Sequence, residues 1–129
     1  MYNFALKEIT EITGKLKIYK LLIDGVCSYD EFEKEIEAEG NYLSELRTIV
    51  TRLYDIADCK TLPEQKYKDI TPSKQNNKEN EIKTHHLRIY LFHDKKTGHI
   101  IVSGGKKGSQ KGDIKHFRKI KNEYFKQLS

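Results

Sequence analysis

Five histidines, His85, His86, His93, His99 and His116, are the side chains of this 129-residue chain that titrate closest to neutrality, and so the ordinary choice for moving a proton. His85 and His86 are adjacent where a tight turn is expected, so at most one of them faces any cleft; a solvated turn pair explains them equally well. His93, His99 and His116 are scattered at strand ends and in the last helix, and are assigned to surface or cross-strand packing. None of the five is spaced with cysteines or carboxylates as a metal site requires, so no zinc and no other metal is expected. Cys27 and Cys59 lie far apart without a C-x-x-C spacing, which argues against a zinc knuckle or a disulfide framework, and both are expected as buried small hydrophobes. The glycine-rich stretch 103–109 (SGGKKGS) fails the G-x-x-x-x-G-K-[ST] spacing and sits in a chain without parallel βαβ units, so nucleotide hydrolysis is not expected. Its exposed backbone amides could still hold a phosphate.

Charge gives these residues a setting. The net charge of +5 hides an asymmetry: residues 1–72 carry ten Lys/Arg against fourteen Asp/Glu, a balance of −4, whereas residues 73–129 carry fourteen against five, a balance of +9. One cationic end attracts polyanions, nucleic acid above all. A single lysine is best explained by solvation, but an excess of nine over 57 residues favours a functional patch. Hydrophobic residues at 36% and charged residues at 33% describe an ordinary globular chain of about one domain, residues 1–129, with no internal repeat. No apolar run approaches the roughly 20 residues that cross a bilayer, and Met1 is followed by Tyr-Asn-Phe rather than by a basic and then apolar leader. The expectation is a cytoplasmic protein without a membrane partner.

The elements that must position the candidates come from periodicity and turn chemistry. Residues 2–9, which could be strand or short helix, and 15–23, closed by Asp24-Gly25, are taken as two strands. Ser28 with Glu31 three positions later has the form of a capping box, and Gly40 should end the helix it opens. Residues 42–57 place Leu43, Leu46, Ile49, Val50, Leu53, Ile56 and Ala57 at three- and four-residue steps and predict a second helix. Residues 71–80 contain no apolar side chain and read as an exposed loop. Three strands follow at 81–84, 87–92 and 99–103, with 87–92 apolar enough to be covered on both faces. Asp94 to Gly98 makes a hairpin, and Gly104-Gly105 should break the last strand. Asp113 could cap a final helix with Ile114, Phe117, Ile120, Tyr124 and Leu128 inside, and Lys115, Arg118, Lys119, Lys121 and Lys126 around the rest. The fold class is therefore α+β, a small antiparallel sheet with helices packed on one face, part of the other face left open, and a C-terminal helix.

Two runs in this order carry a resemblance. Residues 81–92 (EIKTHHLRIYLF) look like the paired central strands of the RelE/HigB toxins, the ribosome-dependent mRNA endonucleases of bacterial toxin–antitoxin pairs. Residues 99–114 (HIIVSGGKKGSQKGDI) are similar to the HigB-type ending, an apolar strand running into Lys-Lys-x-x-Gln and then a helix. The match spans about residues 42–129. It implies a curved antiparallel sheet, a concave basic surface that grips mRNA on the ribosome, metal- and cofactor-free RNA cleavage, and a neutralising antitoxin, of the helix-turn-helix type. Carried over by residue, Lys83, Arg88, Lys106 and His86 would form the catalytic set, with His85, Lys107, Gln110, Lys111 and Lys115 binding RNA. The family's tail often supplies a further acidic, tyrosine or histidine residue, and here only His116 and Tyr124 stand there.

Cleavage of this kind deprotonates a 2′-hydroxyl, stabilises charge on the scissile phosphate and protonates the leaving 5′-oxygen. The guanidinium fork of Arg88 suits the phosphate. Lys106-Lys107 beside Lys83 would lower a lysine pKa towards acid–base use if the fold gathers them into one cationic hollow. Two other readings compete. One is a non-catalytic relative, either a gyrase-binding ParE-like toxin or a degenerate toxin that only engages its antitoxin. The other is a general RNA-binding module stacking bases on Tyr90 and Phe92, for which core packing is the plain alternative.

Overall fold

A computed structural model describes residues 2–128. Among them the elements run β1 (Phe4–Glu8), β2 (Ile18–Ile23), α1 (Ser28–Glu39), α2 (Leu43–Ala57), β3 (Tyr67–Asp69), β4 (Glu79–Lys83), β5 (Leu87–Asp94), β6 (Gly98–Lys106) and α3 (Gln110–Leu128), with a 3-10 turn at Lys107–Ser109. The strands form one sheet in the order β1-β2-β6-β5-β4-β3. The chain is thus α+β with a C-terminal helix, as its patterning predicts. The sheet is mixed: β2 and β6 pair in parallel and the other neighbours antiparallel. Helices α1 and α2 and three strands separate β2 from β6, so no hairpin imposes an antiparallel sense on that pair.

Side chains alternate across the sheet and build two apolar layers. On one face Ile18, Ile82, Leu87, Ile89, Leu91 and Ile101 meet Phe32 and Ile36 of α1 and Leu46, Ile49 and Leu53 of α2. On the other, Leu21, Tyr90, Phe92, Ile100 and Val102 meet Phe117, Ile120 and Tyr124 of α3. The face expected to stay partly open is therefore roofed by α3. Strand β5 lies between both layers and is buried from Leu87 to Phe92, which explains its unbroken apolar run. Tyr90 and Phe92 pack against Phe117, so neither is available to stack on a base.

Several local expectations need correction. Helix α1 begins at Ser28 itself, behind Cys27 and without any side-chain cap, so the capping box does not form; Gly40 does end the helix at φ 78°. Helix α3 starts at Gln110, and Asp113 lies inside its first turn, accepting from Ser109. Cys59 is exposed, unlike Cys27. Short strand β3 went unpredicted. Gly98 takes the positive φ, 136°, that the hairpin requires. Gly104 and Gly105 do not break β6. They lie within it because the sheet is approached closely there: a Cβ on Gly104 would sit 2.6 Å from the Phe32 ring, and one on Gly105 2.0 Å from the Asp113 carboxylate.

One irregularity in β6 decides where its end points. Tyr90 pairs with Ser103 but Leu91 with Ile101, so Val102 is an extra residue, a β-bulge. A one-residue insertion reverses the facing of every later side chain. Lys106 therefore pairs beside Leu87, on the α1 and α2 face.

Candidate functional site

The turn between β4 and β5 and the bend after β6 meet at one end of the sheet, where the Lys107 amide donates to the carbonyl of His86 at 2.9 Å. Glu45, in the first turn of α2, reaches this turn and organises it. Its Oε1 accepts from the His86 amide at 2.7 Å and from the Thr84 hydroxyl, while its Oε2 lies 2.7 Å from Nδ1 of the His86 ring. Partial burial opposes ionisation of this carboxyl, but the bonds from Thr84 and from the amide and ring of His86 outweigh it and hold the pKa at about 2. The Tyr42 ring stacks on His86 at 4.3 Å and 25°, and His85 packs against it edge-on. With Nδ1 committed to the carboxylate, Nε2 is the nitrogen left to exchange a proton, and the His86 side chain is 43% exposed. The imidazole is thus oriented by a carboxylate, supported by an aromatic ring and open to solvent, as general acid–base chemistry requires.

The other three catalytic candidates divide between the two faces of the sheet, Lys106 alone on the side where Glu45 and Tyr42 hold the His86 ring. Lys83 and Arg88 are cross-strand partners, and both stand on the α3 face by alternation with Ile82 and Ile89. Arg88 is only 5% exposed, and its Nη1 donates to the carbonyls of Thr84 at 2.6 Å and Leu87 at 2.8 Å. It therefore braces the turn that carries His86. Lys83 is half-buried. Lys106, sent to the opposite face by the bulge, is held by both carboxylate oxygens of Glu39 at 2.7 Å, a pairing that raises its pKa. The expected single hollow shared by Lys83, Arg88 and Lys106 is therefore not formed.

Exposed cations lie elsewhere. Lys107, Lys111, Lys115 and Lys119 follow one another at four-residue steps along the 3-10 turn and α3, all exposed, and no carboxylate neutralises them among the described residues. Four-residue spacing keeps Lys111, Lys115 and Lys119 on one side of α3, a row preceded by Lys107, whose backbone lies beside that of His86. Gln110, expected to bind RNA, is instead half-buried and donates to Glu81 at 3.0 Å. His85 is exposed at the turn. Of the tail candidates, His116 is exposed and Tyr124 is buried against Phe4 and Phe92.

Sequence patterning missed Glu45, whose partner is 41 positions away, and a buried acidic pair, Glu79 and Glu81, on β4. Glu79 takes Arg118 at 2.9 Å and Lys121 at 2.8 Å. Lys121, placed on the outer surface by its charge, is 2% exposed. These contacts clamp α3 onto the sheet beneath the lysine row.

No protein-family model, no curated protein and no solved structure matches this chain. Among the described residues no helix is long and apolar enough to cross a membrane, and no cluster of three His, Cys, Asp or Glu could hold a metal ion.

Proposed function

We propose that the chain is an RNA-cleaving toxin of the RelE/HigB kind, a metal-independent endoribonuclease acting on mRNA at the ribosome and restrained by an antitoxin. One observation carries the reading: an imidazole oriented by a carboxylate, His86 on Glu45, belongs to a turn whose backbone meets Lys107, the first of an exposed run of lysines. Lysines 107, 111, 115 and 119 would track the phosphates of a single strand. His86 Nε2 would take the 2′-hydroxyl proton; the 2′-oxygen attacks the phosphorus, the bond to the 5′-oxygen breaks, and that oxygen leaves with a proton from water, the imidazolium later returning its own proton to solvent. The products are a 2′,3′-cyclic phosphate and a 5′-hydroxyl. Arg88 enters as a positioning residue that braces the turn, and Lys106 as a cation available only on leaving Glu39.

The order of elements read from the sequence, strands, two helices, three antiparallel strands and a last helix, recurs with one further short strand, β3, and is compatible with the same reading. The cytoplasm, where ribosomes are, is the corresponding location. The test is to express the chain, look for growth arrest, and map cuts in mRNA on translating ribosomes. Arrest without cuts would favour the non-catalytic, gyrase-binding alternative.

A further inference from the structure

Helix α2 leaves part of its apolar stripe uncovered. Leu43, Val50 and Tyr54 are 40%, 38% and 39% exposed, whereas Leu46, Ile49 and Leu53 beside them are buried. Spacings of seven and four put the three exposed side chains on one side of the helix, and the Tyr54 hydroxyl is tied to the Glu11 carbonyl at 2.8 Å. Two concavities lie along this stripe and share Val50 and Glu33. One, of about 280 Å³, passes between Ile12, Leu53 and Tyr54 to Tyr29; the other, of about 260 Å³, lies between Leu43, Leu46 and Glu37. Together they make a groove along α1 and α2, some 17 Å long if the rise of an α-helix over eleven residues sets its length.

The groove's charge is specific. Helix α1 carries six acidic residues and one lysine, and Glu33 and Glu37 stand on the groove wall with Glu11 at its end. Lys20 is already committed to Asp30 at 2.7 Å, so Arg47 is the cation left on the rim. At the floor, the buried Tyr29 hydroxyl faces the Glu33 carboxylate. Burial raises the Glu33 pKa by more than Tyr29 and Lys20 lower it, so its carboxylate lacks full compensation.

We propose that this groove docks a basic amphipathic helix of a partner protein, its apolar side chains over Leu43, Val50 and Tyr54 and a lysine or arginine against Glu33 and Glu37. A polyanion is disfavoured by the acidic wall. A second copy is disfavoured because this chain's own basic helix, α3, has its apolar side buried on the sheet. The inference uses neither His86 nor the lysine row, and so goes beyond the RNA reading.

Two synthetic helices of about 18 residues, long enough to hold helical structure, serve as probes. They share one leucine stripe and differ in carrying lysine or glutamate elsewhere. Each is titrated against the fluorescently labelled full chain, with sedimentation of the chain alone in parallel. The lysine helix should bind at least about tenfold more tightly than the glutamate helix, and Val50→Asp and Tyr54→Asp should each weaken it by about tenfold, the scale of losing one well-packed contact. Glu33→Gln should weaken it less. Equal binding of the two helices, or indifference to Val50→Asp, overturns the proposal. Self-association abolished by Val50→Asp also overturns it, because the groove then belongs to a second copy. Cleavage of mRNA by the Val50→Asp chain reports on the RNA reading separately.

Discussion

Glu45 and His86 are 41 residues apart in sequence, yet the carboxylate of one lies 2.7 Å from the ring nitrogen of the other and also accepts the backbone amide of the same residue. A single side chain therefore fixes both the path of the β4–β5 turn and the orientation of its imidazole. Because Glu45 stands in the first turn of α2, the turn is tied to the helix layer as well as to the sheet.

This relationship sets a pH dependence. The Glu45 carboxyl is held at about 2 against an ordinary 4.5, so its folded-state pKa is depressed. The stability it contributes is fully present above pH 4.5 and is lost as pH falls from 4.5 through about 2. Glu45→Gln should lower unfolding free energy at pH 7 by about 1–2 kcal/mol, the cost of weakening hydrogen bonds to a charged group. The gap between the two proteins should narrow across that acidic window in a series of urea titrations.

The buried cluster on the other face should be less forgiving. Glu79 and Lys121 are paired at 2.8 Å with side chains 3% and 2% exposed. Glu79→Gln leaves a buried ammonium without its counter-charge and is expected to cost about 3–5 kcal/mol in denaturant unfolding. Replacing both partners together, Glu79→Met with Lys121→Met, should recover most of that loss.

The lysine row makes a prediction about salt. Each lysine that neutralises a phosphate of single-stranded RNA contributes about −0.7 to the slope of log affinity against log salt. Lys111→Ala, Lys115→Ala and Lys119→Ala combined should flatten the slope by about 2 and leave thermal stability nearly unchanged. Fluorescence anisotropy with a short unstructured RNA, from low to physiological salt, measures it.

Gly104 predicts a purely steric effect. An alanine Cβ there would stand 2.6 Å from Cδ2 of Phe32 and 2.9 Å from Cδ1 of Ile89. Gly104→Ala should destabilise the fold by about 1–3 kcal/mol through overpacking, read as a lower urea midpoint with the slope unchanged.

Much of the fold was legible because it rests on local rules. The stripe of α2, the apolar run of β5 and the Asp94 to Gly98 hairpin each announce themselves within a dozen residues. Lys121 was legible too: it falls four residues after Phe117 and three before Tyr124, in phase with the buried side of α3, although its charge argued for the surface. The bulge at Val102 has no such local signal, and it alone moves Lys106 away from Arg88 and Lys83. The choice between His85 and His86 stayed open in the sequence because it is made by Glu45, a contact only the folded chain creates. Strand β3 is three residues long, too short to establish an alternation.

The most direct measurement is the mapping of mRNA ends on translating ribosomes exposed to the wild-type chain and to His86→Ala. The wild type should leave fragments with 2′,3′-cyclic phosphate and 5′-hydroxyl ends. His86→Ala, still folded, should cut at least about 100-fold more slowly, the lower bound for losing a positioned acid–base group. Cutting at the wild-type rate by His86→Ala, or no cutting by the wild type, would contradict the account.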